Sequence, residues 1–340
     1  MNKKRTTIQD IANEIDVTAS TVSRALKDHP RISDSTKESV LRVAKELNYQ
    51  PNNVAASLRK GHTKTIGIVV PTADRIFFSS IMKGVEEVAN NAGYNVIMSQ
   101  SYDSYEKEKT NIRALLEARV DGILASIAME TKEYDHYQEV ISQGIPLIFY
   151  DRAHTSLNTS SVEIDDYQGA YNAVQHLIEQ GCKHIAHFAG PQHIKIYQER
   201  LRGYKDALKD HELPIENAFI QKNSIKLNSG RRAAENMLAQ QPRPDALFSA
   251  SDYAAMGAIQ KLKEQAITIP DEIAIVGFSN ETFTSLVEPS LSTIDQHTHN
   301  MGKSAAQLFF DQINQQQDKV IPRKVILQPE LIVRESSLKK

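Results

Sequence analysis

The 340-residue chain has a single cysteine, Cys182. That excludes an intramolecular disulfide and any cysteine-based zinc site, and it suits a reducing, cytoplasmic setting. No window approaches the roughly 18 consecutive apolar residues that a membrane helix needs. The first residues, Met1-Asn2-Lys3-Lys4-Arg5-Thr6, lead into no apolar core, so a signal peptide is not expected. No glycine-rich phosphate loop, nucleophile elbow or metal-ligand spacing is present, so no enzyme activity, cofactor or metal is expected. Low-complexity sequence is also missing; Gln315-Gln316-Gln317 is too short to count. No leucine heptad follows Ile332, which argues against a tetramer built on a coiled coil.

Excess charge is small too, at −2, but it is unevenly placed. Residues 1–60 carry eleven Lys and Arg against seven acids, so a basic head precedes an acidic remainder. That is the charge footprint of a DNA-binding module, and equally that of a solvated terminus. The pattern inside the head decides more. Thr7-Ile8-Gln9-Asp10 has the form of a capping box, followed by an apolar face at Ile8, Ile11, Ala12 and Ile15. Asp16-Val17 is a turn. Thr18 then caps a second helix to about Lys27, with Val22, Ala25 and Leu26 inward. Ala19, Ser20, Ser23 and Arg24 project from the other side. Ser33 starts a third helix to about Leu47, with Val40, Val43, Ala44 and Leu47 inward. The second helix suits a major groove: its start is small, and Arg24 can fork onto a guanine or a phosphate.

Pro51 breaks the pattern, and Asn52 to Gly61 reads as about two helical turns, too few to hold alone in water. It is either a flexible linker or a hinge helix that folds only on DNA. In the second case Ala55 and Ala56 allow close helix contact, and Leu58 is a wedge for a minor-groove step. From Thr65 the pattern changes. Apolar runs at 66–70, 96–99, 122–126, 147–150, 185–189, 246–249 and 273–278 alternate with amphipathic stretches at 80–91, 107–118, 167–180, 198–210, 229–240 and 254–264. Consecutive apolar residues separated by helices mean buried parallel strands in βαβ units. Their number predicts two doubly wound parallel-sheet subdomains, with a ligand cleft at the strands' carboxyl ends. His184 and His187 are placed on one strand, facing one way; without a third ligand they read as structural.

Taken together, these features resemble the lactose/galactose-repressor family of bacterial transcription regulators. The resemblance rests on Thr7-Ile8-Gln9-Asp10-Ile11-Ala12, on Val17 through Arg24, and on Tyr49-Gln50-Pro51-Asn52. Further along it rests on Phe149-Tyr150-Asp151-Arg152, Gly190-Pro191, Glu199 to Tyr204, Ser251-Asp252, Met256-Gly257 and Ile275-Val276-Gly277-Phe278. It implies a helix-turn-helix headpiece at 1–48, a hinge at 49–62 and a body of periplasmic-binding-protein type at 63–340. The body's chain would cross between lobes near Glu163, Thr293 and Lys324. Lobe one would comprise 63–162 and 293–323, and lobe two 163–292 and 324–340. The resemblance also implies a homodimer on double-stranded operator DNA and a small-molecule effector.

By the same resemblance, Ala19, Ser20 and Arg24 read bases, while Thr7, Ser23, Ser33 and Asn52 cap helices and touch phosphates. Ile8, Ala55, Leu58 and Arg59 complete the expected DNA-contacting set. The implied effector residues are Phe77, Phe78, Asp151, Ile196, Arg200, Ile225, Ser251, Ser279 and Asn280. Two alternatives stand beside that reading: Asp151 and Arg200 as a buried structural ion pair, and Phe77 and Phe78 as plain core. Two positions depart from the family. Ser279 stands where an aspartate is usual, and Arg75-Ile76 where Asn-Pro is usual. With Arg200 kept and Lys195 near, the site is expected to be less negative, which brings a sugar acid or sugar phosphate into play beside a neutral sugar. The chain is therefore expected to be a sequence-specific regulator, a repressor of carbohydrate-utilisation genes. The competing readings are a regulator driven by a protein partner and a solute-binding protein.

Overall fold

A computed structural model describes residues 6–49, 62–314 and 321–339. The chain forms two compact units, Met1–Thr63 and Lys64–Lys340.

Among its described residues the first unit has three helices: α1 (Ile8–Glu14), α2 (Ala19–Ala25) and α3 (Asp34–Glu46). Each begins on a hydroxyl residue whose side chain accepts a backbone N–H three residues on: Thr7 from Asp10, Thr18 from Thr21 and Ser33 from Thr36. Such caps satisfy amides that a helix start leaves unpaired. Ile11, Ala12, Val22, Ala25, Val40, Val43 and Ala44 bury together. Two expectations shift. The second helix stops at Ala25 rather than Lys27, because Asp28 turns left-handed (φ 52) and His29 N–H closes back on Arg24 O at 3.0 Å. Leu47, expected inward, is exposed just past the end of α3.

Among its described residues the second unit has two parallel sheets and a two-stranded antiparallel one. The first is a six-stranded parallel sheet of β1 (Thr65–Val70), β2 (Asn95–Gln100), β3 (Gly122–Ala125), β4 (Leu147–Tyr150), β5 (Ser160–Ile164) and β11 (Lys324–Leu327), in the order β11-β5-β4-β3-β1-β2. Helices α4 (Ile76–Asn91) and α11 (Thr298–Asn314) cover one face; α5 (Tyr105–Glu117) and α6 (Asp135–Ser142) cover the other. Gly84 of α4 and Gly302 of α11 lie so close to the facing helix that a Cβ on either would collide with its backbone. The second sheet is β7-β6-β8-β9, built from β6 (Ile185–Phe188), β7 (Ile220–Gln221), β8 (Ala246–Ser249) and β9 (Ala274–Val276). It lies between α7 (Asp166–Glu179) with α8 (Lys195–Asp210) and α9 (Leu227–Leu238) with α10 (Asp252–Glu264). Both halves are doubly wound. The run at 96–99 was expected to be buried, yet β2 is an edge strand, and Ile97 and Met98 are exposed.

The lobe crossings fall a few residues beyond the expected positions. Glu163 is still within β5, and the chain passes to α7 only after Ile164. Thr293 belongs to β10 (Thr293–Asp295), which pairs antiparallel with β12 (Glu330–Ile332) against α7 of lobe two. Lys324 opens β11 and pairs in parallel with Ser161 of lobe one. The crossings therefore lie at 165, 296–297 and 328–329, where the strand ladders end.

Candidate functional site

On the first unit, α2 presents Ser20 and Arg24 to solvent, with Ser23 half-buried beside them, opposite the buried Val22 and Ala25. Ala19 opens the helix and packs partly on the core, as does Ile8 of α1. The Ser20 hydroxyl lies 2.8 Å from that of Thr18, so it shares the cap. Among the described residues no ion pair engages Arg24, which leaves its guanidinium available. Thr7 closes its box reciprocally, its own N–H donating to Asp10 Oδ2 at 2.7 Å. Asn52, Ala55, Leu58 and Arg59 lie outside the described residues.

In the body, the structure brings six of the nine expected effector residues around one small recess between the lobes: Phe77, Phe78, Asp151, Ile196, Arg200 and Ser279. Arg75, Arg152, Tyr197, Glu281 and Gln296 complete its wall. Asp151 follows β4 in a left-handed conformation (φ 59) and accepts a hydrogen bond from the Ser126 hydroxyl at 3.2 Å. Burial pushes its carboxyl above the ordinary range. Arg152 reaches away, to Asp103 at 2.5 Å and to the Ile127 carbonyl at 3.2 Å. Its buried Nε has no hydrogen-bond partner; Asp151 Oδ2 is 3.7 Å off. Gln296 donates from Nε2 to Ser279 Oγ at 3.0 Å, while its buried Oε1 accepts nothing.

Arg200 is in a buried ion pair, but with Asp166 rather than Asp151. Its Nε and Nη2 lie 2.8 and 2.7 Å from Asp166 Oδ1, its Nη1 donates to Ala250 O at 2.9 Å, and its plane sits 3.7 Å above Phe278. Burial raises Asp166 to about 7 in spite of that partner. Phe77 and Phe78 belong to the core and to the recess at once: they meet edge to face at 4.9 Å and are almost wholly buried.

Three expected residues do not reach the recess. Asn280 is a clasp: it accepts from Arg334 Nη2 at 3.0 Å and donates to Asp295 Oδ2 at 3.0 Å. Ser251 stands at the start of α10 without a side-chain cap, its backbone tied to the Ser249 hydroxyl. Ile225 packs behind Ile196 in an apolar cluster. A carboxyl group nevertheless reaches the recess two residues beyond Ser279, at Glu281. Burial raises Glu281 to about 7, and the facing Asp252 adds to the rise. Lys195, expected near, instead binds Glu163 at 2.7 Å. His184 and His187 face opposite ways, since three residues along a strand is an odd step. His187 is stacked between Tyr204 and Phe248, and burial lowers it to about 4; His184 meets Phe219. Sequence reasoning noted Arg75 only as a departure from the family and passed over Arg152, Tyr197, Glu281 and Gln296 as site residues. Of these four only Arg152, inside a recognised motif, carried a signal.

A capped helix-turn-helix and a two-lobed body with a polar recess define a DNA-binding transcriptional regulator with an effector-binding body. Residues 7–52 match the family described as bacterial regulatory proteins, lacI family. Residues 63–335 match the periplasmic binding proteins and sugar binding domain of the LacI family. The chain belongs to the LacI family of bacterial regulatory proteins. It is 32% identical to catabolite control protein A of Priestia megaterium, over 91% of this chain and 93% of that one. It is also 32% identical to the ribose operon repressor of Halalkalibacterium halodurans, over 91% and 90%. Among solved structures, the lac repressor dimer bound to operator and an anti-inducer matches with TM-score 0.84 and 25% identity, covering 98% of this chain and 100% of that one. A complex of the transcriptional regulator CelR with cellobiose matches with TM-score 0.74 and 29% identity, over the same shares. Among the described residues no helix is long and apolar enough to cross a membrane.

Proposed function

We propose that the protein is a cytoplasmic homodimeric repressor of carbohydrate-utilisation genes, and that a hydroxyl-rich sugar bound in the interlobe recess sets its affinity for its operator. One observation carries the ligand class: two buried polar atoms in the recess wall, Gln296 Oε1 and Arg152 Nε, have no hydrogen-bond partner among the described residues. Leaving such groups unpaired costs about 1–3 kcal/mol each. Asp151 and Glu281 add two more acceptors. A ligand that suits this wall offers several O–H donors and at least one acceptor. A neutral sugar does so, and Phe77, Phe78 and Tyr197 can bear on its apolar faces. A sugar acid would set its carboxylate against Asp151 and Glu281.

In this reading Ala19, Ser20 and Arg24 contact bases, and Thr7, Ser23 and Ser33 contact phosphates. Asn52, Ala55, Leu58 and Arg59 complete the DNA-contacting set. The ribose and cellobiose named with its relatives support a saccharide but do not choose among saccharides. The ligand's leverage on the operator equals its differential affinity for the two lobe arrangements. The test is a thermal-shift screen of the full chain with paired compounds such as glucose and gluconate, followed by operator binding with and without the hits. Tighter binding of the neutral member, with a change in operator affinity, is expected. Preference for the acid, or a hit without effect on DNA, overturns the reading.

A further inference from the structure

A second cavity lies away from the recess, on the face of the first sheet that α5 and α6 cover. After β4 the chain makes no helix on that face, and a loop at 153–159 returns directly to β5. It leaves a trough of about 280 Å³ over β5 and β11, against about 30 Å³ for the interlobe recess. Phe149 and Leu157, both buried, give it an apolar side. Its polar side is Ser161 and Glu163 of β5 with Lys324 of β11.

Glu163 is buried and fully engaged. It accepts from Ser161 Oγ at 2.8 Å and from Lys195 Nζ at 2.7 Å, and forms an ion pair with Lys324 Nζ at 3.2 Å. Two ammonium groups thus converge on one carboxylate, which leaves one positive charge over. The other charged groups nearby do not cancel it. Arg323 is taken up by Asp311, and burial keeps His154 below its ordinary range and so neutral at pH 7. Glu199, on the same helix as Lys195, is paired with Arg202. Burial and the neighbouring Lys195 hold Lys324 below its ordinary range, which shows how closely the two cations are set.

We propose that this trough is a second small-molecule site, taking a compound with a phosphate group held by Lys324 and Lys195 and an organic remainder lying on Phe149 and Leu157. Lysines act as point charges and suit a phosphate dianion, whereas a flat carboxylate favours an arginine fork. The residues that line the trough belong to lobe one, while Lys195, which meets it through Glu163, belongs to lobe two, so an occupant held by both lysines bridges the lobes beside their first crossing. It therefore biases the same lobe equilibrium as the sugar, from a different site.

The test is calorimetry on the full chain at constant ionic strength, with inorganic phosphate, glucose 6-phosphate and glucose. Both phosphates are expected to bind, the organic one more tightly. Lys324→Gln, at an exposed position, should weaken both about tenfold, the loss of one charge-assisted contact. Glu163→Gln should strengthen both, because it removes the anion that competes for the lysines. Asp151→Asn should leave both unchanged while weakening any neutral sugar bound in the recess. The proposal fails if the wild-type chain binds neither phosphate, or if Lys324→Gln binds as the wild type does. It fails equally if Glu163→Gln weakens binding, or if Asp151→Asn abolishes it, which would place the phosphate in the recess.

Discussion

The two working surfaces of this molecule are assembled in opposite ways. The proposed reading face of α2 is local: Thr18, Ala19, Ser20, Ser23 and Arg24 span seven residues, and the cap that orients them lies within the same stretch. The interlobe recess is non-local: Phe77, Asp151, Arg200, Glu281 and Gln296 come from five separate parts of the chain. The first surface depends on a helix of two turns, the second on the mutual packing of two sheets. A local surface tolerates change elsewhere in the chain, while a non-local one reports every change in lobe packing. That division suits a regulator in which one end must stay constant and the other must respond.

Substitutions that spare one surface and damage the other probe this contrast. The largest effect is expected from Gly302→Val, whose side chain would collide with the backbone of α4. Overpacking of this kind costs roughly 3 kcal/mol. In a calorimetric scan the body's transition should fall by several degrees while that of the first unit stays in place; a fall in both would break the contrast.

Next comes the pH dependence of Glu281. Its pKa is raised from 4.5 to about 7, so the fold favours the protonated form. The stability this gives is complete below about pH 4.5 and is lost as pH rises through 7. Measured against Glu281→Gln, the wild-type body should lose roughly 2 kcal/mol between pH 5 and pH 8. A flat difference across that window would mean that Glu281 titrates as an ordinary surface carboxylate.

Arg24→Ala should weaken operator binding by roughly 1–2 kcal/mol and relax specificity at one base pair, leaving ligand affinity unchanged. A uniform loss across all DNA sequences would instead make Arg24 a phosphate contact. The smallest effect is expected from Thr7→Ala, which opens the capping box and costs about 1 kcal/mol in the first unit alone, visible in its thermal midpoint.

The same contrast explains what the sequence made legible. The caps at Thr7, Thr18 and Ser33 were readable, because hydroxyl residue and amide lie three positions apart. The long strands and helices of the body were readable from their apolar runs. Strand β5 was not among those runs, because Ser161 and Glu163 interrupt it; they are the residues that face the trough. Three-residue strands such as β10 and β12 carry too little periodicity, so the crossings were placed a few residues early. In the recess, the residues found were those inside recognised motifs. Glu281 was missed because its role comes from a turn that sets it facing lobe one, and Arg200 was matched with the wrong carboxylate because Asp166 lies at the start of a helix rather than at a strand end. Neither relation can be read from spacing.

The three crossings between lobes have a consequence for synthesis. The reading helix emerges among the first thirty residues, and the second sheet is complete once β9 has been made at Val276. Lobe one, although it begins earlier, waits for α11 and then for β11 at Lys324–Leu327. The growing chain therefore carries a finished DNA reader before it has a finished ligand cleft. For that interval it is a reader without a control, and the order in which the ribosome delivers its parts is the reverse of the order in which the mature protein uses them.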